Sequence, residues 1–268
     1  MPRLLTARRT RSAVFRIVLA LAALSTLLVA MSGRRLLPPS LVAQELRSAR
    51  SVLWVVAHPD DESFFFAPSI LGLLNQQGVQ GALLSLSIGN HDGLGGVRRT
   101  ELTRSCAVLG ISSACCLAVD DPALPDNPDL EWPRAAISSI VKRQLDAWDV
   151  DAVVTFDLYG VSGHANHRTV AAAIIELATS DPNFPPSFAV SSTSVLTKFT
   201  SLLLLPLVLL RHLLRADESG ALFVNSWRQY LETHRSFAAH ASQARWFRTL
   251  FVTFSRYLWY VELKRIVP

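Results

Sequence analysis

An apolar run that stops abruptly at acid and imidazole does most to restrict what this chain can fold into. Val52–Ala57 reads V-L-W-V-V-A, with no polar residue interleaved. A strand with one wet face alternates. An unbroken run of this length suits a strand buried on both faces, as in a parallel sheet. His58, Pro59, Asp60, Asp61 and Glu62 follow directly. Pro59 fixes its own φ and pushes His58 out of the helical region, so the strand must end there. Open parallel sheets bind ligands at the carboxyl ends of their strands, and this polar cluster lies at such an end.

The pattern then repeats. Ala82–Ile88, Ala114–Val119 and Val150–Phe156 are expected strands, and helices are expected over about 63–77, 97–109, 134–148 and 166–178. Gly78 closes the first of these helices, and Pro133 suits a first helical turn. Strands alternating with helices predict an α/β fold, a doubly wound, Rossmann-like three-layer α/β/α sandwich with a mostly parallel sheet. A chain of 268 residues holds one such domain and something extra. After Pro186 the order loosens. Phe188–Leu196 and Leu222–Val224 read as strands and Trp227–His240 as a helix. Residues 199–214 are strongly apolar but interrupted by Pro206, and suit a core helix or an interfacial segment equally. Arg245–Arg265 mixes basic residues with Trp246, Phe247, Phe251, Phe254, Tyr257, Trp259 and Tyr260. This aromatic, basic C-terminal tail suits a headgroup zone or a terminal helix packed on the domain.

The extra segment is at the N-terminus. Ile17–Met31 is apolar, and with Ala13–Phe15 it approaches the roughly 20 residues that span a bilayer. Residues 1–35 therefore read as an N-terminal membrane-anchor helix, 36–50 as a linker, and 51–268 as the globular domain. A cleaved signal peptide, with Ala30-Met31-Ser32 as its small-x-small site, and an Arg-rich mitochondrial targeting segment are the competing readings. The net charge of +5 belongs to this segment. Its seven arginines (Arg3, Arg8, Arg9, Arg11, Arg16, Arg34, Arg35) precede the first acidic residue, Glu45. Subtracting them from the 26 basic residues leaves 19 against 21 acidic ones, which sets nucleic acid aside as a partner. The cysteines are Cys106, Cys115 and Cys116; an odd count with an adjacent pair is no disulfide framework, so they read as small core residues. With no Asn-x-Ser/Thr acceptor in the chain, this agrees with a domain on the cytosolic side.

Two clusters carry the chemistry. His58 and Asp61 are three apart, which a tight turn can aim at one point, and Asp60 beside them is free to take a proton from water. The second cluster, F-D-L-Y-G-V-S-G-H-A-N-H over Phe156–His167, also follows a buried strand. His164 and His167 are three apart at a helix start, so they share a face; one can bind a metal while the other faces substrate. Imidazole and carboxylate at two strand ends of one sheet suit zinc or another divalent transition metal.

A-H-P-D-D-E at Ala57–Glu62 and G-H-x-N-H at Gly163–His167 resemble the PIG-L/LmbE-like deacetylases. The resemblance is strong from Val52 to Ala178. Within that family the eukaryotic N-acetylglucosaminyl-phosphatidylinositol de-N-acetylases are most similar, through S-x-G-N (Ser87–Asn90), R-x-x-E-L (Arg98–Leu102), S-C-x-V-L-G-I (Ser105–Ile111) and W-F-R-x-L-x-x-x-F-S-R-Y (Trp246–Tyr257). The resemblance implies His58, Asp61 and His167 as zinc ligands and Asp60 as general base. It implies His164 as the group that stabilises the oxyanion and helps the amine leave. It implies Arg98 as a substrate-binding residue, with Arg99 as a rival for that place. Asp157 is expected to orient a ligand imidazole from behind, and Glu62 to orient the loop or cap the next helix. The implied activity is hydrolysis of a glycolipid's acetamide in the second step of glycosylphosphatidylinositol anchor synthesis. The implied location is the endoplasmic reticulum membrane, with the catalytic domain cytosolic. A deacetylase of another N-acetylglucosaminyl or N-acyl substrate, and a non-catalytic membrane scaffold, are the alternatives.

Overall fold

The computed structural model describes residues 2–215 and 219–266. The apolar run forms β1 (Ser51–Val56), buried from Val52 onward. A wide π-type turn over Glu62–Phe66 leads into α2 (Ala67–Leu74). Then come β2 (Gln80–Ser85), α3 (Gly95–Leu109) and β3 (Cys116–Ala118). The next elements are α4 (Arg134–Trp148), β4 (Ala152–Phe156), α5 (Ala165–Ser180) and β5 (Ser187–Val190). Among the described residues the sheet has seven strands in the order β3-β2-β1-β4-β5-β7-β6, β6 being Gly220–Val224 and β7 Tyr260–Ile266. The first five pair in parallel. Helices α2, α3 and α7 (Trp227–Ala238) cover one face, and α4 and α5 the other. This is the expected three-layer sandwich. Its strand order reverses between β1 and β4, where Leu53 pairs with Val153, so the loops after these two strands meet.

The last third differs from expectation. Of the expected 188–196 strand only 188–190 pairs, as part of β5, and Val195–Lys198 coils into a helical turn. The C-terminal tail is neither one terminal helix nor a headgroup-facing segment throughout. It makes a short helix, α8 (Trp246–Phe254), and then β7, which inserts antiparallel between β5 and β6. Tyr257, Leu258, Trp259 and Tyr260 are buried. Aromatic and β-branched residues serve a buried strand as well as an interface, so composition alone could not separate the two.

Residues Pro2–Gly33 form one helix, α1, and Ala13–Gly33 within it has a mean hydropathy of 2.3, long and apolar enough to cross a membrane. Its C-terminal end is docked. Ser25 Oγ donates to the Leu202 carbonyl at 2.7 Å, and Ser32 Oγ to that of Val224 at 2.5 Å. Leu28 and Val29 pack with Leu205 and Val208 of α6 (Leu205–Arg215), Leu222 and Trp259 in a second small core. Residues 36–50 are equally engaged: Leu41, Ala43 and Leu46 are buried, and Val42 bridges to Ala221 at the sheet edge.

The cysteines are not all bystanders. Cys106 of α3 and Cys116 of β3, with Cα atoms 6.6 Å apart, form a disulfide, and Cys115 is free. Packing of α3 against its own following strand brings together two residues that sequence spacing did not pair.

Candidate metal centre

The site is built where β1 and β4 end. Asp61 Oδ2 accepts hydrogen bonds from the backbone N–H groups of Ala57 (3.1 Å) and His58 (2.8 Å), which folds the H-P-D-D turn back on its own strand. Asp60, at its apex, has φ +118°, a left-handed conformation that side chains rarely adopt. Glu62 stabilises it: Oε2 accepts from the Asp60 N–H at 3.0 Å, while Oε1 accepts from Ser105 Oγ (2.5 Å) and pairs with His240 Nε2 (2.6 Å). Glu62 and His240 are both fully buried. Burial would raise the Glu62 pKa, but the His240 imidazolium holds it below the ordinary carboxylate value. Burial would lower His240, but the Glu62 carboxylate raises it above the ordinary histidine value.

After β4, Asp157 does not reach an imidazole. It accepts from the N–H groups of Tyr159, Gly160 and Ser192 and from Ser192 Oγ, holding the loop that carries Gly160. The Gly160 carbonyl in turn receives His167 Nδ1 at 3.0 Å. Gly160 has φ +68°, and a Cβ there would lie 2.6 Å from His167 Cβ, so only glycine permits this approach.

His58 Nδ1, His167 Nε2 and an Asp61 carboxylate oxygen converge. The two nitrogens are 3.3 Å apart, and His167 Nε2 is 3.3 Å from Asp61 Oδ1. Each histidine donates through its other nitrogen, His167 Nδ1 to Gly160 and His58 Nε2 to Asn166 Oδ1 at 3.0 Å, with Asp126 Oδ1 at 3.2 Å. In their neutral forms both facing nitrogens therefore carry lone pairs, aimed at each other beside a carboxylate. A divalent cation would satisfy all three at once. Electrostatics agree. Burial opposes charge on both groups, yet Asp126 and Asp61 raise the His58 pKa, and His167 with His58 holds the Asp61 carboxyl well below its usual range. The cluster favours positive charge at its centre. His58 Nε2, Asp126 and His164 form a second possible ligand group, less buried than the first.

His164 ends the loop as the cap of α5, where its Nδ1 accepts the Asn166 N–H at 3.2 Å. Its proton thus sits on Nε2. Burial first, then His58 and His167, pushes its pKa down to about 4, so the ring is neutral at pH 7. Arg98, not Arg99, faces the site. Its Nη2 donates to the Pro59 carbonyl (2.7 Å) and its Nη1 to the Gly89 carbonyl (2.9 Å) and Asp126 (3.3 Å). Arg99 is half-exposed and pairs with Asp120. Six of the seven expected residues, all but Asp157, line one cavity of about 670 Å³, which Phe64, Phe199 and Phe251 also line.

A family model described as GlcNAc-PI de-N-acetylase matches residues 53–178. The N-acetylglucosaminyl-phosphatidylinositol de-N-acetylase of Bos taurus is 39% identical over 208 residues, covering 77% of this chain and 79% of that protein. A probable enzyme of the same name from Schizosaccharomyces pombe is 31% identical, covering 93% and 96%. The chain belongs to the PIG-L family. Solved structures of N,N'-diacetylchitobiose deacetylase from Pyrococcus horikoshii (TM-score 0.52, 18% identity, 77% of each chain) and of a teicoplanin deacetylase (TM-score 0.56, 10% identity, covering 80% of this chain and 97% of that one) share its fold.

Sequence reasoning missed four residues of this PIG-L site. Asp126 lies in the Pro-rich loop between β3 and α4, which carries no strand or helix pattern, and Asn166 was a motif letter without a role. Its amide also donates to the Leu130 carbonyl at 2.8 Å, so it tethers that loop to His58. His240 and Arg248 come from the C-terminal segment. Arg248 of α8 forms an ion pair with Asp60, and its guanidinium lies 5.5 Å from the centre of the Phe64 ring. Arg248 was a letter of the W-F-R motif without a role and no local pattern marks His240; topology brings both to the site.

Proposed function

We propose that this chain hydrolyses the acetamide of N-acetylglucosaminyl-phosphatidylinositol, releasing acetate and glucosaminyl-phosphatidylinositol. The pair of facing imidazole nitrogens beside the Asp61 carboxylate carries the reading. His58, Asp61 and His167 would hold a divalent ion, zinc by the character of the donors, which supplies Lewis acidity toward water and the acetamide carbonyl. Asp60 accepts the attacking water's proton and delivers it to the sugar nitrogen as the C–N bond breaks. Neutral His164 donates its Nε2 proton as a hydrogen bond to the carbonyl oxygen as charge develops there, an interaction of about 3 kcal/mol. Arg98 contributes positive charge to the substrate-binding wall, and Asp157 sets the His167 ring through Gly160.

The membrane of the endoplasmic reticulum is the proposed location, with the catalytic unit on the cytosolic side. The apolar α1 supports membrane attachment. A reducing compartment would open Cys106–Cys116, so thiol tagging in intact cells, giving three free cysteines or one, tests the side. Function is tested in de-N-acetylase-deficient cells. Wild type restores glucosaminyl-phosphatidylinositol and Asp60→Asn does not, although the variant retains its metal. Chelation abolishes turnover of purified wild type, and added zinc restores it. Purified chain without a divalent ion, or full rescue by Asp60→Asn, refutes the reading.

A further inference from the structure

The cavity holds two guanidinium groups with different freedom. Arg98 is 7% exposed, and both of its Nη atoms donate to protein oxygens on the loops after β1, β2 and β3. It is a brace. Arg248 enters on α8, with its side chain 23% exposed, and pairs with the Asp60 carboxylate. Its helix is fixed underneath: Val252 is buried, and the Phe251 ring packs 5.0 Å from Phe64 and 5.8 Å from Phe65 and Phe199. The anchor point is rigid, while the long side chain above it reaches across an open cavity.

Asp60 does not depend on Arg248 alone. Arg98 Nη2 lies 3.6 Å from the same carboxylate oxygen, so the carboxylate keeps a cationic neighbour if Arg248 turns away. Arg248 nevertheless occupies Asp60 Oδ2, one of the two oxygens through which this carboxylate accepts a proton. A phosphodiester entering the cavity offers Arg248 two non-bridging oxygens, a two-point partner of the kind guanidinium prefers. We infer that Arg248 is a specificity-determining residue: it exchanges the Asp60 carboxylate for the phosphodiester of the substrate, and by leaving uncovers Asp60. Anion recognition and access to Asp60 are thereby linked in one side chain. This rests on the deacetylase reading above, and names which part of the glycolipid the cavity recognises.

The test uses the full chain in a neutral detergent, with two substrates: a short-chain N-acetylglucosaminyl-phosphatidylinositol, and N-acetylglucosaminyl-inositol without the phosphodiester. Wild type prefers the phosphodiester substrate, and part of that preference lies in kcat. In Arg248→Ala the ratio of kcat/KM between the two falls roughly thirty-fold, the loss expected when one partner of a close charge pair is truncated. Arg248→Lys keeps the charge without the fork and recovers part of the ratio. Glycerophosphoinositol competes against the phosphate-free substrate in wild type, and inositol does not; this arm needs no variant. Equal losses on both substrates in Arg248→Ala overturn the inference, since they mean that α8 or Asp60 has merely moved. So does absence of competition by glycerophosphoinositol. Dependence on Arg248 that emerges only when phosphatidylserine is added assigns the residue to the bilayer surface and also overturns it. Wild type that deacetylates neither compound refutes the deacetylase reading instead, whereas equal turnover of both refutes only the role of Arg248.

Discussion

His240→Ala should destabilise this protein from behind its active loop. The imidazole is fully buried, and its Nε2 lies 2.6 Å from Glu62 Oε1. Removing it leaves a buried carboxylate with only the Ser105 hydroxyl and the Asp60 N–H as partners. Breaking a buried ion pair from one side costs about 3 kcal/mol or more. For a chain of this size that is a fall in Tm of roughly 6–12 °C. The pH dependence is the sharper signature. Glu62 has a depressed pKa, so its contribution is present above the ordinary carboxylate value and is lost as pH falls through the folded one. His240 has a raised pKa, so its contribution is full below the ordinary histidine value and is lost as pH rises through the folded one. The deficit of the variant should therefore be largest between these limits, near pH 6, and shrink on both sides. Thermal unfolding in detergent at a series of pH values, followed by tryptophan fluorescence, measures it. A deficit below about 1 kcal/mol, or one that does not change from pH 4 to pH 8, would refute the view that this pair is ionised and holds the loop.

Three further outcomes follow from the same geometry. Asn166→Ala frees the His58 Nε2 side of the cluster and should weaken metal affinity roughly 10–100-fold, read by competition with a chelating dye. Gly160→Ala should cost about 2 kcal/mol and lower metal content, because its Cβ would meet His167; Gly78→Ala, also at positive φ but with nothing within 4 Å, should cost about 1 kcal/mol and leave metal content alone. Deleting residues 1–33 uncovers Leu205, Val208, Leu222 and Trp259, so the truncated chain should associate in the absence of detergent, which size-exclusion chromatography detects.

The parallel half of the fold was legible because each strand there is a short apolar run ended by a sharp change of chemistry. Val52–Ala57 could be little else than a doubly covered strand, and His58–Glu62 had to lie at its end. The same logic located the second loop, so His58, Asp61, His164 and His167 could be gathered before any coordinates. What could not be read was direction. The spacing of Asp157 to His167 permits a contact, but three backbone N–H groups and the Ser192 hydroxyl claim that carboxylate first. Nor does spacing place Asp126 against His58, since the loop between β3 and α4 has no period to follow.

The C-terminal segment shows why the remainder was hidden, and why it matters. β7 lies between β5 and β6, so the chain must pass the open end of the sheet before it enters the core. Residues 238–254 make that passage, and they touch the H-P-D-D-E turn and its support at three points. His240 meets Glu62, Ser242 Oγ donates to Glu101 at 2.6 Å, and Arg248 meets Asp60. Each contact joins an acid of the N-terminal half to a residue at least 141 positions later. Such pairs carry no periodic signal, because only closure of the sheet by its last strand brings them together. It follows that the strained Asp60 turn does not sustain itself. A chain ending before β7 would keep His240 and Arg248 but lose the strand that anchors the segment carrying them, so activity should require the final strand although no residue of that strand lines the cavity.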